Sequence, residues 1–88
     1  MAVLRFEIWE TANSQECAAV SEAWDRLRDP DARFVEAFYA STQEEAMAHR
    51  HKRNGWRPYK PVPGLTDQVF NDAQYAEQEA YLSVRAVR

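Results

Sequence analysis

A chain of 88 residues, 45% hydrophobic and 28% charged, has the composition of one globular domain and is too short for two. Two glycines exclude glycine-rich phosphate loops, a single cysteine excludes an internal disulfide and a cysteine-built zinc site, and no apolar run approaches membrane-spanning length. The net charge of −3 is unevenly spread: residues 1–48 hold ten acids against four bases, residues 49–60 hold five bases and no acid, and residues 61–88 hold four acids against two bases.

Val3 to Thr11 reads as a strand, because Leu4, Phe6 and Ile8 alternate with Arg5, Glu7 and Trp9. Charges inside this apolar stretch argue against a signal peptide, so the chain reads as a soluble cytoplasmic protein. Cys17, Val20, Trp24 and Leu27 recur at helical spacing, which predicts a helix over about Ser14 to Arg28, with Asn13 as N-cap and Glu16 completing a capping box. Asp29-Pro30-Asp31 ends it. Arg33 to Ala40 reads as a second strand, apolar on both faces except for Glu36, which is expected at an edge reaching solvent.

Ser41-Thr42-Gln43-Glu44 is a capping-box start for a helix over about Thr42 to Asn54, with Gly55 at the left-handed position that ends many helices. Trp56 is placed to fold back on that helix end. Pro58, Pro61, Pro63 and Gly64 make residues 57–65 an irregular, stiff connection. A last helix starts at Thr66-Asp67 or Asn71-Asp72 and runs through Ala80, and the alternation of Leu82, Val84 and Ala86 predicts a third strand over Tyr81 to Arg88. The expected architecture is a single α/β or α+β domain, 1–88, with a three-stranded sheet and two to three helices in the order β-α-β-α-α-β. The first β-α-β unit would make its two strands parallel. One sheet face would stay open, a docking surface or a homodimer contact.

Catalytic constellations are lacking. Cys17 would form a nucleophilic pair with His49 or His51 only if the fold joined them, and its place on an apolar stripe favours a buried small hydrophobe. His49 and His51 cannot share a metal from a helix at that spacing, and Glu45 with His49 reads as an exposed i, i+4 pair. No catalytic residue, metal or cofactor is therefore expected, and the enzyme class ranks last. What remains is the basic-aromatic segment 49–60, with Arg50, Lys52, Arg53, Trp56, Arg57, Tyr59 and Lys60 as candidate partner-binding residues. Arg, Trp and Tyr are the usual anchors of protein interfaces, so a small non-enzymatic binding or regulatory protein with a protein partner is the leading expectation. Nucleic acid is an alternative partner, ranked lower because the acidic first half repels phosphate. A phage or mobile-element inhibitor of a host nucleic-acid machine, with that acidic half mimicking phosphate, is another alternative. The bland reading is a helix end whose bases complement its dipole.

Overall fold

The computed structural model describes residues 2–85. Its elements are β1 (Leu4–Glu10), β2 (Gln15–Ala19), α1 (Glu22–Leu27), β3 (Arg33–Ala40), α2 (Gln43–Arg53) and α3 (Asp72–Val84). The domain is thus a mixed α/β fold with a three-stranded sheet and three helices, in the order β-β-α-β-α-α. The sheet order is β2-β1-β3, and both pairings are antiparallel.

The expected helix over Ser14 to Arg28 is instead a strand followed by a short helix. Thr11 to Ser14 close a tight turn: the Thr11 amide donates to the Ser14 carbonyl at 2.9 Å, and the Thr11 hydroxyl oxygen accepts from the Asn13 and Ser14 amides. Asn13 is therefore a turn residue and caps nothing. Gln15 to Ala19 pair with β1 as a strand, and the helical spacing of Cys17, Val20, Trp24 and Leu27 does not decide the local structure. The N-cap is Ser21, whose hydroxyl accepts from the Trp24 amide at 3.1 Å. Leu27, the supposed end of the apolar stripe, is 83% exposed. With a hairpin in place of a crossover helix, no parallel pair forms.

The C-terminal expectation also changes. Tyr81 to Val84 continue α3 rather than starting a strand; residues 86–88 lie outside the described region. Asn71 is the start signal that operates. Its side chain accepts from the Gln74 amide and the Gln74 side chain accepts from the Asn71 amide, both at 2.8 Å.

Leu4, Phe6 and Ile8 point to the sheet face covered by α2. Leu4, Phe6, Ala40 and Ala46 form the core cluster, with Cys17, Ala19, Phe38, Met47 and Phe70 packed around it. The Phe6 ring lies 5.6 Å from Phe38 and 5.9 Å from Phe70. Phe70 reaches this position because the end of the proline-rich connection is stitched to the start of α2: the Phe70 amide donates to the Ser41 carbonyl and the Glu44 amide to the Thr66 carbonyl.

The opposite face carries Arg5, Glu7 and Trp9, and here the strand alternation conceals a buried charge network. Glu7 is only 2% exposed. Its two oxygens accept from both terminal nitrogens of Arg85, at 2.7 and 2.8 Å, and also from Arg5 Nε and Trp9 Nε1, both at 2.9 Å. Arg85 also donates to Asp25, which accepts from Arg28 and the Tyr81 hydroxyl. The Arg28 guanidinium lies 3.8 Å from the Trp9 ring centre and 4.8 Å from that of Trp24. This cluster ties the end of α3 and, through Asp25 and Arg28, the last turn of α1 to β1. Burial alone would push the Glu7 carboxyl up, but the hydrogen bonds from Arg85, Trp9 and Arg5 outweigh it and hold it at about 2. The paired acids in turn push the Arg85 guanidinium up.

Gln78 is the second buried polar side chain, 6% exposed. It sits where β2 ends and the Arg5 backbone would lose its partner. The Arg5 amide donates to Gln78 Oε1 at 2.7 Å, and Gln78 Nε2 donates to the Arg5 and Val20 carbonyls. A helix residue thereby completes the hydrogen bonding of a strand.

Candidate functional site

The basic-aromatic segment is built on the C-terminal end of α2. Thr42 caps the helix start by accepting from the Glu45 amide at 2.9 Å. At the other end Gly55 takes φ of +69°, a conformation that favours glycine, and the chain reverses. The Trp56 amide donates to the His51 carbonyl at 2.9 Å and the Gly55 amide to the Lys52 carbonyl at 3.2 Å. This paired closure satisfies helix-end carbonyls and comes with a side-chain contact across the turn. Here that contact is Trp56 against His51, edge to face at 5.2 Å.

His51 then organises the loop. The Arg57 carbonyl can only accept, so the His51 Nδ1–H donates to it, at 2.8 Å. Tyr59 meets the same imidazole edge-on at 5.3 Å. The Arg50 guanidinium lies 5.3 Å from the centre of the Trp56 ring. Trp56 is thus held by one imidazole and one cation while remaining 48% exposed.

The seven candidate residues divide into two groups. Arg50 is turned inward: its Nε donates to the Gln15 side chain at 2.7 Å and its Nη2 to the Gln15 carbonyl at 2.8 Å, which ties α2 to the edge of β2. Arg53 pairs with Glu36 on β3. Lys52, Trp56, Arg57 and Lys60 face solvent and Tyr59 is half-buried, so these five form the accessible ledge. Among the described residues, Lys52, Arg57 and Lys60 make no ion pair. Their charge is available to a partner.

The fold does not assemble a nucleophilic pair. Cys17 lies opposite Ile8 on the core face, and burial pushes its thiol up, away from the reactive thiolate. His49 is occupied elsewhere. Its Nε2 contacts Glu36 at 2.7 Å and its ring stacks on Phe38 at 4.1 Å, so the expected Glu45–His49 pair is replaced. Glu45 instead accepts the Ser41 amide. Glu36 lies on an edge strand and remains partly exposed, held by His49 and Arg53, whose bonds outweigh its desolvation and keep its carboxyl below the usual range. No group of three His, Cys, Asp or Glu side chains placed to hold a metal occurs among the described residues. None of their helices is long and apolar enough to cross a membrane.

No family model matches the chain, and no curated protein or solved structure does either.

A concavity lies between α3 and the β2–α1 connection, an open cleft of about 610 Å³ lined by Leu4, Val20, Glu22, Gln78, Tyr81 and Val84 among others. The Gln78 side chain in its wall is satisfied by backbone groups of Arg5 and Val20.

Sequence reasoning found the ledge but missed His51 as its organiser and Glu7 as a buried acid. A signal for Glu7 was present: Trp9 shares its face, and a large aromatic there needs a cover. For His51 the signal was its place three residues before the helix-ending cap at Asn54, the position that meets the residue after the glycine.

Proposed function

We propose that this protein is a non-enzymatic binding module that docks an acidic protein surface on the ledge formed by Lys52, Trp56, Arg57, Tyr59 and Lys60. The observation that carries the reading is Trp56, half exposed yet pinned by His51 and Arg50. An aromatic anchor fixed before binding loses little side-chain freedom on association, and tryptophan and arginine are the residues that dominate interface energetics. The unpaired cations around it supply orientation and speed of encounter with an acidic partner. Among the described residues, Arg5, Arg26, Arg28, Arg53 and Arg85 pair with acids and Arg50 binds Gln15, so cations without an acid partner are concentrated at this end of α2.

The reading is tested by photo-cross-linking in the native host with a benzophenone amino acid at position 56, and separately at Tyr75 on the exposed side of α3. A discrete protein adduct from position 56 is expected, lost when Lys52, Arg57 and Lys60 are all changed to Glu, with none from position 75. Adducts to nucleic acid, or protein adducts that survive the charge reversal, would contradict it.

A further inference from the structure

We infer that Gln15, the first residue of β2, is the positioning residue of the ledge: it fixes the Arg50 guanidinium, and through Arg50 the ring of Trp56. The inference deepens the docking reading of the ledge and rests on it. Gln15 lies 35 residues before Arg50 in the chain, and the hairpin delivers it to this place. Glu10 and Gln15 are the last pair of the β1–β2 ladder before the turn at Thr11 to Ser14, so their side chains share one face of the sheet. On α2, Arg50 and Asn54 are one turn apart and also share a face. Both reach Gln15.

A side-chain amide has two acceptor sites on its oxygen and two hydrogens on its nitrogen. Gln15 uses all of them. Its Oε1 accepts from Arg50 Nε at 2.7 Å and from Asn54 Nδ2 at 2.8 Å, while its Nε2 donates to Glu10 Oε2 at 3.0 Å and to Asn54 Oδ1 at 3.3 Å. The Gln15 backbone carbonyl then takes Arg50 Nη2 at 2.8 Å.

Arg50 is therefore gripped along one edge, at Nε and Nη2, by two acceptors of a single residue. A guanidinium is planar and rigid, so two such bonds fix its plane as well as its position. Left free, an arginine on a helix surface samples many rotamers and holds nothing in place. Held by Gln15, it becomes a stationary cation 5.3 Å from the centre of the Trp56 ring, within the range of cation–π attraction. The grip also keeps Arg50 half-buried, while Lys52, Arg57 and Lys60 stay exposed. Gln15 thus sets both the rigidity of the aromatic anchor and which cations face a partner.

The test is the indole N–H order parameter of Trp56 in variants of the full chain, with the buried Trp9 as internal reference. In Gln15→Ala it should fall from near 0.85 to below about 0.6, with Trp9 unchanged. Gln15→Glu keeps an oxygen to accept from Arg50 and should keep Trp56 ordered, although it loses the donor bond to Glu10. Arg50→Met removes the same link from the helix side, so the inference can be read even if Gln15→Ala does not fold. It should loosen Trp56 as far as Gln15→Ala does, and the double variant should loosen it no further, because the two residues act in series. Trp56 remaining ordered in Gln15→Ala or in Arg50→Met overturns the inference and leaves the docking reading standing. So does equal loosening in Gln15→Ala and Gln15→Glu, which would trace the effect to the Glu10 bond. Variants that behave as expected, with no protein adduct from position 56 in the host, would uphold the positioning role of Gln15 and defeat the docking reading alone.

Discussion

Glu7→Gln is nearly isosteric, yet it should be among the most damaging single changes in this domain. Each Glu7 oxygen accepts two hydrogen bonds: one takes Arg5 and Arg85, the other Trp9 and Arg85. Whichever oxygen becomes an NH2 then faces two donors, and Arg85 loses half of its counter-charge. Removing one member of a buried ion pair costs about 3–5 kcal/mol. The titration behaviour gives a second route to the size. The Glu7 carboxyl falls from an ordinary value of 4.5 to about 2 in the fold. A depression of that extent corresponds to about 3 kcal/mol of stability. That stability is fully present above pH 4.5 and is lost as the pH falls toward 2, because the unfolded chain binds the proton first. A domain of this size has a total stability of about 4–13 kcal/mol, so the loss is a large share. Urea unfolding followed by circular dichroism from pH 7 to pH 2 measures it. The wild type should exceed Glu7→Gln by about 3 kcal/mol at pH 7, and the two curves should converge toward pH 2. A gap below about 1 kcal/mol at pH 7 would match an exposed pair and refute the buried-network reasoning, as would a gap that does not change with pH.

Gln78→Ala should strand the Arg5 amide and the Val20 carbonyl where β2 ends, lowering stability by about 1–3 kcal/mol, read as a shift in urea midpoint with unchanged slope. Gly55→Ala meets no atom within 4 Å, so its cost of about 1 kcal/mol is conformational only, and thermal unfolding should show a fall of several degrees.

The elements that could be read in the sequence were those whose local signals agreed with their surroundings. β1, β3 and α2 each carried one local signal that the fold kept: alternation in Leu4–Trp9, aromatic density in Arg33–Ala40, and Thr42 and Gly55 around the helix. The β2 region failed because the accidental spacing of Cys17, Val20, Trp24 and Leu27 favours a helix in isolation, while pairing with β1 decides otherwise. The end of α3 failed because Leu82 and Val84 alternate by chance, whereas Tyr81 and Arg85 are recruited by Asp25, 56 and 60 residues away in sequence. The ledge was legible as composition. Its division into Arg50 and Arg53, engaged by the chain's own side chains, and Lys52, Arg57 and Lys60, which make no ion pair among the described residues, was not, because it depends on where the fold puts Gln15 and Glu36.

The functional account depends on Trp56 being rigid before any partner arrives. Its indole N–H order parameter, from nitrogen-15 relaxation of the free protein, tests that directly beside the buried Trp9. The account predicts a value near 0.85 for both, as for well-ordered backbone. A Trp56 value below about 0.6 with Trp9 unchanged would show a loose side chain on a helix end and would contradict the account.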